Sequence, residues 1–279
     1  MIAVDSYELN DGNSLPAVGF GTVSLRGDDG VAVMRTALES GYRLLDSAVN
    51  YENEEEVGQA VRTSGVPRED VLITTKIPGR HHEYSSAVES VEGSLRRIGS
   101  EYLDLCLIHW PNPSVGRYLE AWRALVDLRE RGLVRSIGVS NFTAQHLRAV
   151  IDDTGVTPAV NQIELHPYFP QAAMREVDAG LGIQTQSWSP LGKNSAPFGE
   201  RPVSEAAAAH GATPAQVILR WQLQLGALPI PKSSDARRQR ENLDVFGFEL
   251  TDAEVAAISG LARDDGRLFG GDPDVHEEM

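Results

Sequence analysis

The chain has 279 residues and 41% hydrophobic content, enough for one well-buried core and matching the roughly 250 residues that a parallel α/β barrel needs as a single domain. Its 25 basic and 40 acidic residues leave a net charge of −15, which argues against a nucleic-acid or anionic-membrane partner, because phosphate contact wants a basic surface. No stretch reaches the ~18 apolar residues of a membrane span, and residues 1–8 carry neither a basic region nor a long apolar run, so a cytoplasmic protein is expected.

Strand-like runs alternate with helical patterns at a spacing of about 30 to 35 residues, the signature of βα units and a parallel sheet. A short hairpin comes first, residues 7–9 and 14–16 joined across Asn10-Asp11-Gly12. Strands follow near 18–21, 43–46, 71–76, 103–109, 136–140, 160–164, 183–188 and 228–231. Helices are predicted near 31–40, 54–63, 84–98, 119–131, 144–151, 171–179, 203–210 and 235–242. Thr213-Pro214-Ala215-Gln216 is a capping box with proline at the first helical position, opening a further helix toward Leu225. Thr251-Asp252-Ala253-Glu254 is another, with Leu250 and Val255 placed as a hydrophobic staple.

Eight strands, each followed by a helix, read as a (β/α)8 barrel over residues 1–279, with an N-terminal hairpin, extra helices and a loop-like tail over about 264–279. An open doubly wound sheet would carry Gly-x-Gly-x-x-Gly after its first strand. The nearest match, Gly19-Phe20-Gly21-Thr22-Val23-Ser24, lacks the third glycine, and no Gly-x4-Gly-Lys-Ser/Thr loop is present. Cys106 reads as a buried strand thiol in a reducing compartment.

In a barrel, chemistry gathers at the C-terminal ends of the strands. Here the second strand runs into Asp46, with Tyr51 in the loop beyond it; the third ends on Lys76 and the fourth on His109. A tyrosine titrates near 10 and is a poor acid near neutrality unless a cation stabilises its phenolate. Lys76 can supply the cation, Asp46 can hold the ammonium, and a histidine can orient a carbonyl oxygen. Taken singly, Asp46 fits a structural ion pair equally well, Tyr51 a surface loop tyrosine, and His109 a satisfied strand-end histidine. Lys76 at the end of an apolar strand is the odder residue, because lysine is rarely buried unpaired.

Asp46-Ser47-Ala48-Val49-Asn50-Tyr51-Glu52-Asn53-Glu54, Lys76 after its strand, and His109-Trp110-Pro111 resemble the signatures of the aldo-keto reductases. Ser140-Asn141-Phe142, Asn161-Gln162, Trp188-Ser189-Pro190-Leu191 and Ile230-Pro231-Lys232-Ser233 extend the resemblance from about residue 7 to residue 250. The short segments after His109 and Trp188 are similar to those of compact bacterial members, including the 2,5-diketo-gluconate reductase type. The resemblance implies NADPH-dependent reduction of aldehydes, ketones or dicarbonyls, with a catalytic set of Asp46, Tyr51, Lys76 and His109. It also implies that Trp188 stacks on the nicotinamide and that Ser140, Asn141 and Gln162 hold its carboxamide. Ser189 and Leu191 fall with the cofactor residues. Lys232, Ser233 and Arg238 would bind the adenosine 2′-phosphate, with Glu241 and Asn242 nearer the ribose and adenine.

One observation favours NADPH independently of the family. Lys232, Arg237, Arg238 and Arg240 lie within nine residues of an otherwise acidic chain, beside a predicted helix start whose N–H groups favour an anion. Arg237 and Arg240 alone fit the solvated face of a helix equally well. The only other lysine besides Lys76 and Lys232 is Lys193, read as loop surface or as part of a cofactor loop.

Val23, Asn50, Trp110 and residues 267–269 are candidate substrate contacts, and by resemblance the tail closes over the substrate. His81-His82 reads as a solvated turn, and His146, His166, His210 and His276 have no metal-ligand spacing, so no metal is expected. That removes the support for a metal-dependent hydrolase. A short-chain dehydrogenase would need Tyr-x-x-x-Lys, and none of the seven tyrosines has lysine four residues later. A non-catalytic relative, such as a channel subunit or lens protein, stays open beside the enzyme. The expected partner is a small carbonyl compound, and the chain is expected to act as a monomer.

Overall fold

The computed structural model describes residues 6–193 and 197–279; residues 1–5 of the N-terminal reading lie outside them. The hairpin pairs β1 (Ser6–Glu8) with β2 (Ser14–Pro16) antiparallel. Eight parallel strands follow: β3 (Phe20–Gly21), β4 (Leu44–Asp46), β5 (Leu72–Ile77), β6 (Leu103–Ile108), β7 (Val134–Ser140), β8 (Val160–Glu164), β9 (Gln184–Trp188) and β10 (Leu228–Pro229), each bonded to the next in chain order.

The seam between β10 and β3 has a physical peculiarity. Gly19 N and Gly21 N donate to Pro229 O and Pro231 O at 3.0 and 3.1 Å. Both prolines lack an N–H, so this edge only accepts, and a regular two-way ladder cannot form across it. Those two bonds nevertheless join the ends of the sheet into the expected barrel.

Ten α-helices are found among the described residues: α1 (Gly27–Glu39), α2 (Glu54–Thr63), α3 (Tyr84–Ile98), α4 (Tyr118–Glu130), α5 (Ala144–Thr154), α6 (Ala172–Gly180), α7 (Arg201–His210), α8 (Pro214–Gln224), α9 (Ala236–Leu243) and α10 (Asp252–Ser259). Both predicted capping boxes form, Thr213 with Gln216 and Thr251 with Glu254. A third, Thr143 with His146 at the start of α5, uses an imidazole in place of the usual Glu or Gln and escaped the sequence pattern. Leu250 is buried and Val255 packs on the same cluster, as the staple requires.

The strand period of two sorts the core and aims the site. Leu44, Leu105, Leu107, Val160, Leu228 and Ile230 pack inside the barrel with Leu9 and Leu15 of the hairpin region, which closes its lower end. Leu45, Ile73, Cys106, Ile108 and Val139 point outward to the helices. Following the inward phase upward gives Leu44 then Asp46, Leu72 then Lys76, and Leu107 then His109, so each apolar stack ends in a polar group at the upper mouth. Cys106 is buried, as expected, and burial pushes its thiol well above the usual range.

Gly138 on β7 sits where a Cβ would come within 2.6 Å of Val160 O and 2.8 Å of Leu107 Cδ2. A main-chain oxygen cannot swing aside as a side-chain tip can. Gly138→Ala is therefore expected to destabilise the fold by about 1–3 kcal/mol through overpacking, read as a lower denaturant midpoint with an unchanged m-value; an unchanged midpoint would show that the barrel has slack there.

Candidate active site

Tyr51 is carried by a single 3₁₀ turn, Val49–Tyr51, entered directly from β4. Its support comes from the residues around it in sequence. Asn53 accepts from Ser47 Oγ at 2.7 Å and donates to Thr22 O and Leu25 O at 2.7 and 3.0 Å, tying this loop to the one after β3. Glu54 accepts from Thr75 Oγ1 at 2.6 Å and from Arg97 Nε at 2.7 Å, fixing the start of α2 against β5. Ser47, Asn53 and Glu54 thus earn their place in the motif as clamps, although none reaches the cavity.

Lys76 is fully buried, at 0% exposure. Its ammonium donates to Asp46 Oδ1 at 2.6 Å and to Ser47 O at 2.8 Å, and stands 5.1 Å from the centroid of the Tyr51 ring. Burial works to lower the lysine pKa, but the charge of Asp46 and the contact with Tyr51 more than offset it, so the group is held above its ordinary value and stays charged. The second oxygen of Asp46 accepts from Gln162 Nε2 at 2.8 Å, and that amide also donates to Gln186 Oε1 at 3.0 Å.

The Tyr51 phenol is raised above its ordinary value: burial pushes it up, Lys76 pulls it down, and Asp46 and Glu278 push it up again. This qualifies the sequence reading. Lys76 does oppose the rise, as expected, but burial outweighs it, so the phenol keeps its proton throughout the neutral range. His109 packs edge-on to Tyr51 with ring centroids 5.8 Å apart.

A cavity of about 640 Å³ opens beside this group. Asp46, Tyr51 and His109 lie on its wall, and so do Val23, Trp110, Asn141, Gln162, Trp188, Ser189, Leu191 and Lys232. Lys76 stands behind Tyr51 and Asp46. The indole of Trp188 is held by its Nε1, which donates to Asn141 Oδ1 at 2.8 Å. Asn141 in turn donates to His109 O and Ser140 Oγ, both at 3.0 Å. Ser140 is buried and spends its hydroxyl on Gln162 O at 2.8 Å, so it lies behind Asn141 and away from the cavity wall.

Lys232 reaches across the cavity mouth and donates to Ser24 Oγ at 2.9 Å and Val23 O at 3.2 Å. Lys193, also on the wall, is exposed as expected, yet its ammonium lies 4.0 Å from the Phe269 ring centroid. Arg238 is exposed, and no partner for its guanidinium is found among the described residues. Ser233 caps a local turn with Asp235, Glu241 pairs with Arg237 at 3.1 Å, and Asn242 is buried beside Tyr42. The pairing of Arg237 makes it part of a solvated helix face.

Two expectations need correction. The start of α9 does not offer its first N–H groups to an outside anion, because Asp235 Oδ1 already accepts from Arg237 N and Arg238 N at 2.8 and 3.0 Å. His82 is not a solvated turn residue. It is fully buried with neither ring nitrogen hydrogen-bonded among the described residues, and burial pushes it down to about 4 against the charges of Glu278 and Glu277.

The tail supplies the groups that sequence reasoning missed. It turns at Leu268, whose N–H donates to the buried Glu164 Oε1 at 2.6 Å. It then places His276 4.2 Å from the Trp110 ring and brings Glu278 Oε1 within 2.9 Å of His109 Nδ1. Glu278 also accepts from Asn50 Nδ2 at 2.6 Å, and Asn50 Oδ1 accepts from Arg80. Asn50 therefore meets the tail and does not line the main cavity. No sequence signal marks Glu278, because its position depends on the path the tail takes across the barrel mouth. No cluster of His, Cys, Asp or Glu that could hold a metal ion occurs among the described residues, nor a helix long and apolar enough to cross a membrane.

The aldo/keto reductase family model matches residues 17–263. The 2,5-diketo-D-gluconic acid reductase B of Corynebacterium sp. (strain SHS752001) is 60% identical over 276 residues, covering 99% of either chain. Among solved structures, a mutant of Gox0644 in complex with NADPH is 42% identical, with a TM-score of 0.94 and 99% of each chain covered. A Bombyx mori aldo-keto reductase in complex with NADP is 33% identical, with a TM-score of 0.87 and 94% of each chain covered. With its barrel, its strand-end residues and these full-length relatives in agreement, the chain belongs to the aldo/keto reductase family.

Proposed function

We propose that this enzyme reduces small aldehydes, ketones or dicarbonyls to alcohols with NADPH, and that Tyr51 delivers the proton to the carbonyl oxygen. The observation that carries this reading is the buried Lys76–Asp46 pair set beside a phenol on the wall of a cavity that also holds Trp188 and Lys232. The wall fits a phosphorylated dinucleotide. It offers a flat indole for the nicotinamide and two ammonium groups for its phosphates, with the unpaired guanidinium of Arg238 on α9 for the 2′-phosphate. Bound NADPH supplies a hydride to the carbonyl carbon.

The remaining work falls to the chain. Trp188, pinned by Asn141, holds the face against which the nicotinamide lies, and Ser189 and Leu191 continue that wall. Gln162 has its amide nitrogen committed to Asp46 and Gln186, which leaves its oxygen to accept from the carboxamide; Asn141 lines the same place, with Ser140 supporting it from behind. Lys232, Ser233 and Arg238 receive the 2′-phosphate, with Glu241 and Asn242 beside the adenosine. Because Asp235 occupies the N–H groups of α9, these side chains carry the phosphate contact. His109 places Nδ1 2.9 Å from Glu278 Oε1, and its Nε2–H donates to the carbonyl oxygen. Tyr51 gives up its proton as charge develops on that oxygen, and Lys76, held in place by Asp46, stabilises the phenolate left behind. Val23 and Trp110 bound the substrate end, and Asn50 acts there through Glu278.

A carbonyl panel assayed with NADPH and NADH at matched concentration tests the reaction; no turnover of any carbonyl despite nucleotide binding would favour a non-catalytic role. Lys232→Ala and Arg238→Ala are each expected to raise KM for NADPH about tenfold, the worth of one charge-assisted hydrogen bond. KM for NADH, which has no 2′-phosphate, should move far less. Equal effects on both nucleotides would remove these residues from the phosphate site.

A further inference from the structure

Trp110 is held differently from the other tryptophans. Trp122, Trp188 and Trp221 each commit the indole Nε1 to a hydrogen bond, donating to Thr154 Oγ1 at 3.0 Å, Asn141 Oδ1 at 2.8 Å and Ser259 Oγ at 3.0 Å. Trp110 makes no side-chain hydrogen bond among the described residues, so packing alone fixes its ring. That ring is part of the cavity wall, with the Trp188 indole beside it at 6.5 Å between centroids.

The packing behind Trp110 comes from the tail. The His276 ring lies 4.2 Å from the Trp110 ring, inclined by 48°. Gly271 closes on the indole edge, where a Cβ would come within 3.0 Å of Trp110 Cη2 and 3.7 Å of Cζ2. Neither residue lines the cavity, so both press on Trp110 from the side away from a ligand. The main chain at His276 is fixed independently of its ring. His276 N donates to Asp272 O at 2.7 Å, Leu268 N to Glu164 Oε1 at 2.6 Å, and Gly79 N to Glu278 O at 3.1 Å. Removing the imidazole therefore removes the backing of Trp110 and leaves the tail tied down.

We propose that His276 is a positioning residue that holds the Trp110 indole toward the cavity and so narrows the substrate end, favouring carbonyl compounds with small substituents over bulky ones. This rests on the reading that Trp110 and Val23 bound the substrate. An indole with an aromatic ring stacked behind it cannot yield to a large group. Without that ring a void opens, and the indole, having no hydrogen bond to hold it, recedes into the space.

Methylglyoxal and phenylglyoxal share the reacting dicarbonyl and differ only in methyl against phenyl, so the ratio of their kcat/KM values with NADPH is the readout. In the full-length protein His276→Ala should shift that ratio toward phenylglyoxal by about fivefold, within the range set by one aromatic pair and by the fit of an apolar pocket. His276→Phe keeps a ring against Trp110 and should stay within about twofold of the wild-type ratio. KM for NADPH should not move in either variant, because Trp188 keeps its bond to Asn141. An unchanged ratio in His276→Ala, an equal loss on both substrates, or the same shift in His276→Phe would overturn the proposal. Failure of the wild type to reduce either glyoxal would overturn the carbonyl reduction itself, and this proposal with it.

Discussion

Tyr51→Phe is expected to lower kcat by about 10²–10⁴-fold, the usual worth of a positioned proton donor, while the Kd for NADPH stays within a few-fold. The phenylalanine ring can keep the edge-on packing against His109, so the loss isolates the hydroxyl. The direction of the tyrosine's pKa adds a condition on pH. Because burial lifts the phenol above its ordinary value, the acid form is fully populated through the neutral range. Reduction should therefore show no loss from this group until the pH climbs past the ordinary tyrosine value of about 10. Steady-state rates across pH, with nucleotide binding followed by fluorescence, check both points. Near-wild-type turnover in the variant would remove Tyr51 from the chemistry.

Lys76→Met should cost both stability and rate. It leaves Asp46 as an uncompensated buried charge with Gln162 as its remaining side-chain partner, and breaking such a pair on one side costs about 3–5 kcal/mol. The folded pKa of Lys76 is raised, so its contribution to stability is complete at neutral pH and is lost only as pH rises through that elevated value. Denaturant unfolding at neutral pH should show a clearly lower midpoint. Turnover should fall at least as far as in Tyr51→Phe, because the phenolate loses the cation that faces it. A variant of wild-type stability would mean that the pair is not buried in solution.

Much of this arrangement was readable in advance because it follows from local pattern. The inward phase of each strand is set by alternation, so a polar residue closing the inward set of an apolar strand had to emerge at the barrel mouth, as Asp46, Lys76 and His109 do. Capping boxes are equally local, and α8 and α10 begin where Thr213 and Thr251 said they would. What could not be read depends on side chains choosing partners far along the chain. The resemblance places Ser140 among the carboxamide contacts, whereas its hydroxyl bonds Gln162 O and it is absent from the cavity wall. Asp235, the first residue of the helix expected over 235–242, stands outside it as the cap and takes the helix N–H groups for itself. Two glutamates at a chain end carry no periodicity at all. Only the path of the tail, fixed by Glu164 at Leu268 and by Gly79 and Asn112 at Glu278, brings one of them to His109. His82 is the same case in reverse, a polar pair in a turn that the arriving tail and its own packing bury.

The decisive measurement is a single turnover of the preformed NADPH complex with a reactive dicarbonyl, followed as loss of reduced-nicotinamide absorbance in H2O and in D2O. If Tyr51 protonates the oxygen as hydride reaches carbon, the wild-type step slows in D2O. In Tyr51→Phe the step should be slower by about 10²–10⁴-fold, the range for a lost proton donor, and should lose that solvent effect. Hydride transfer at the wild-type rate in Tyr51→Phe, with the same solvent effect, would contradict it.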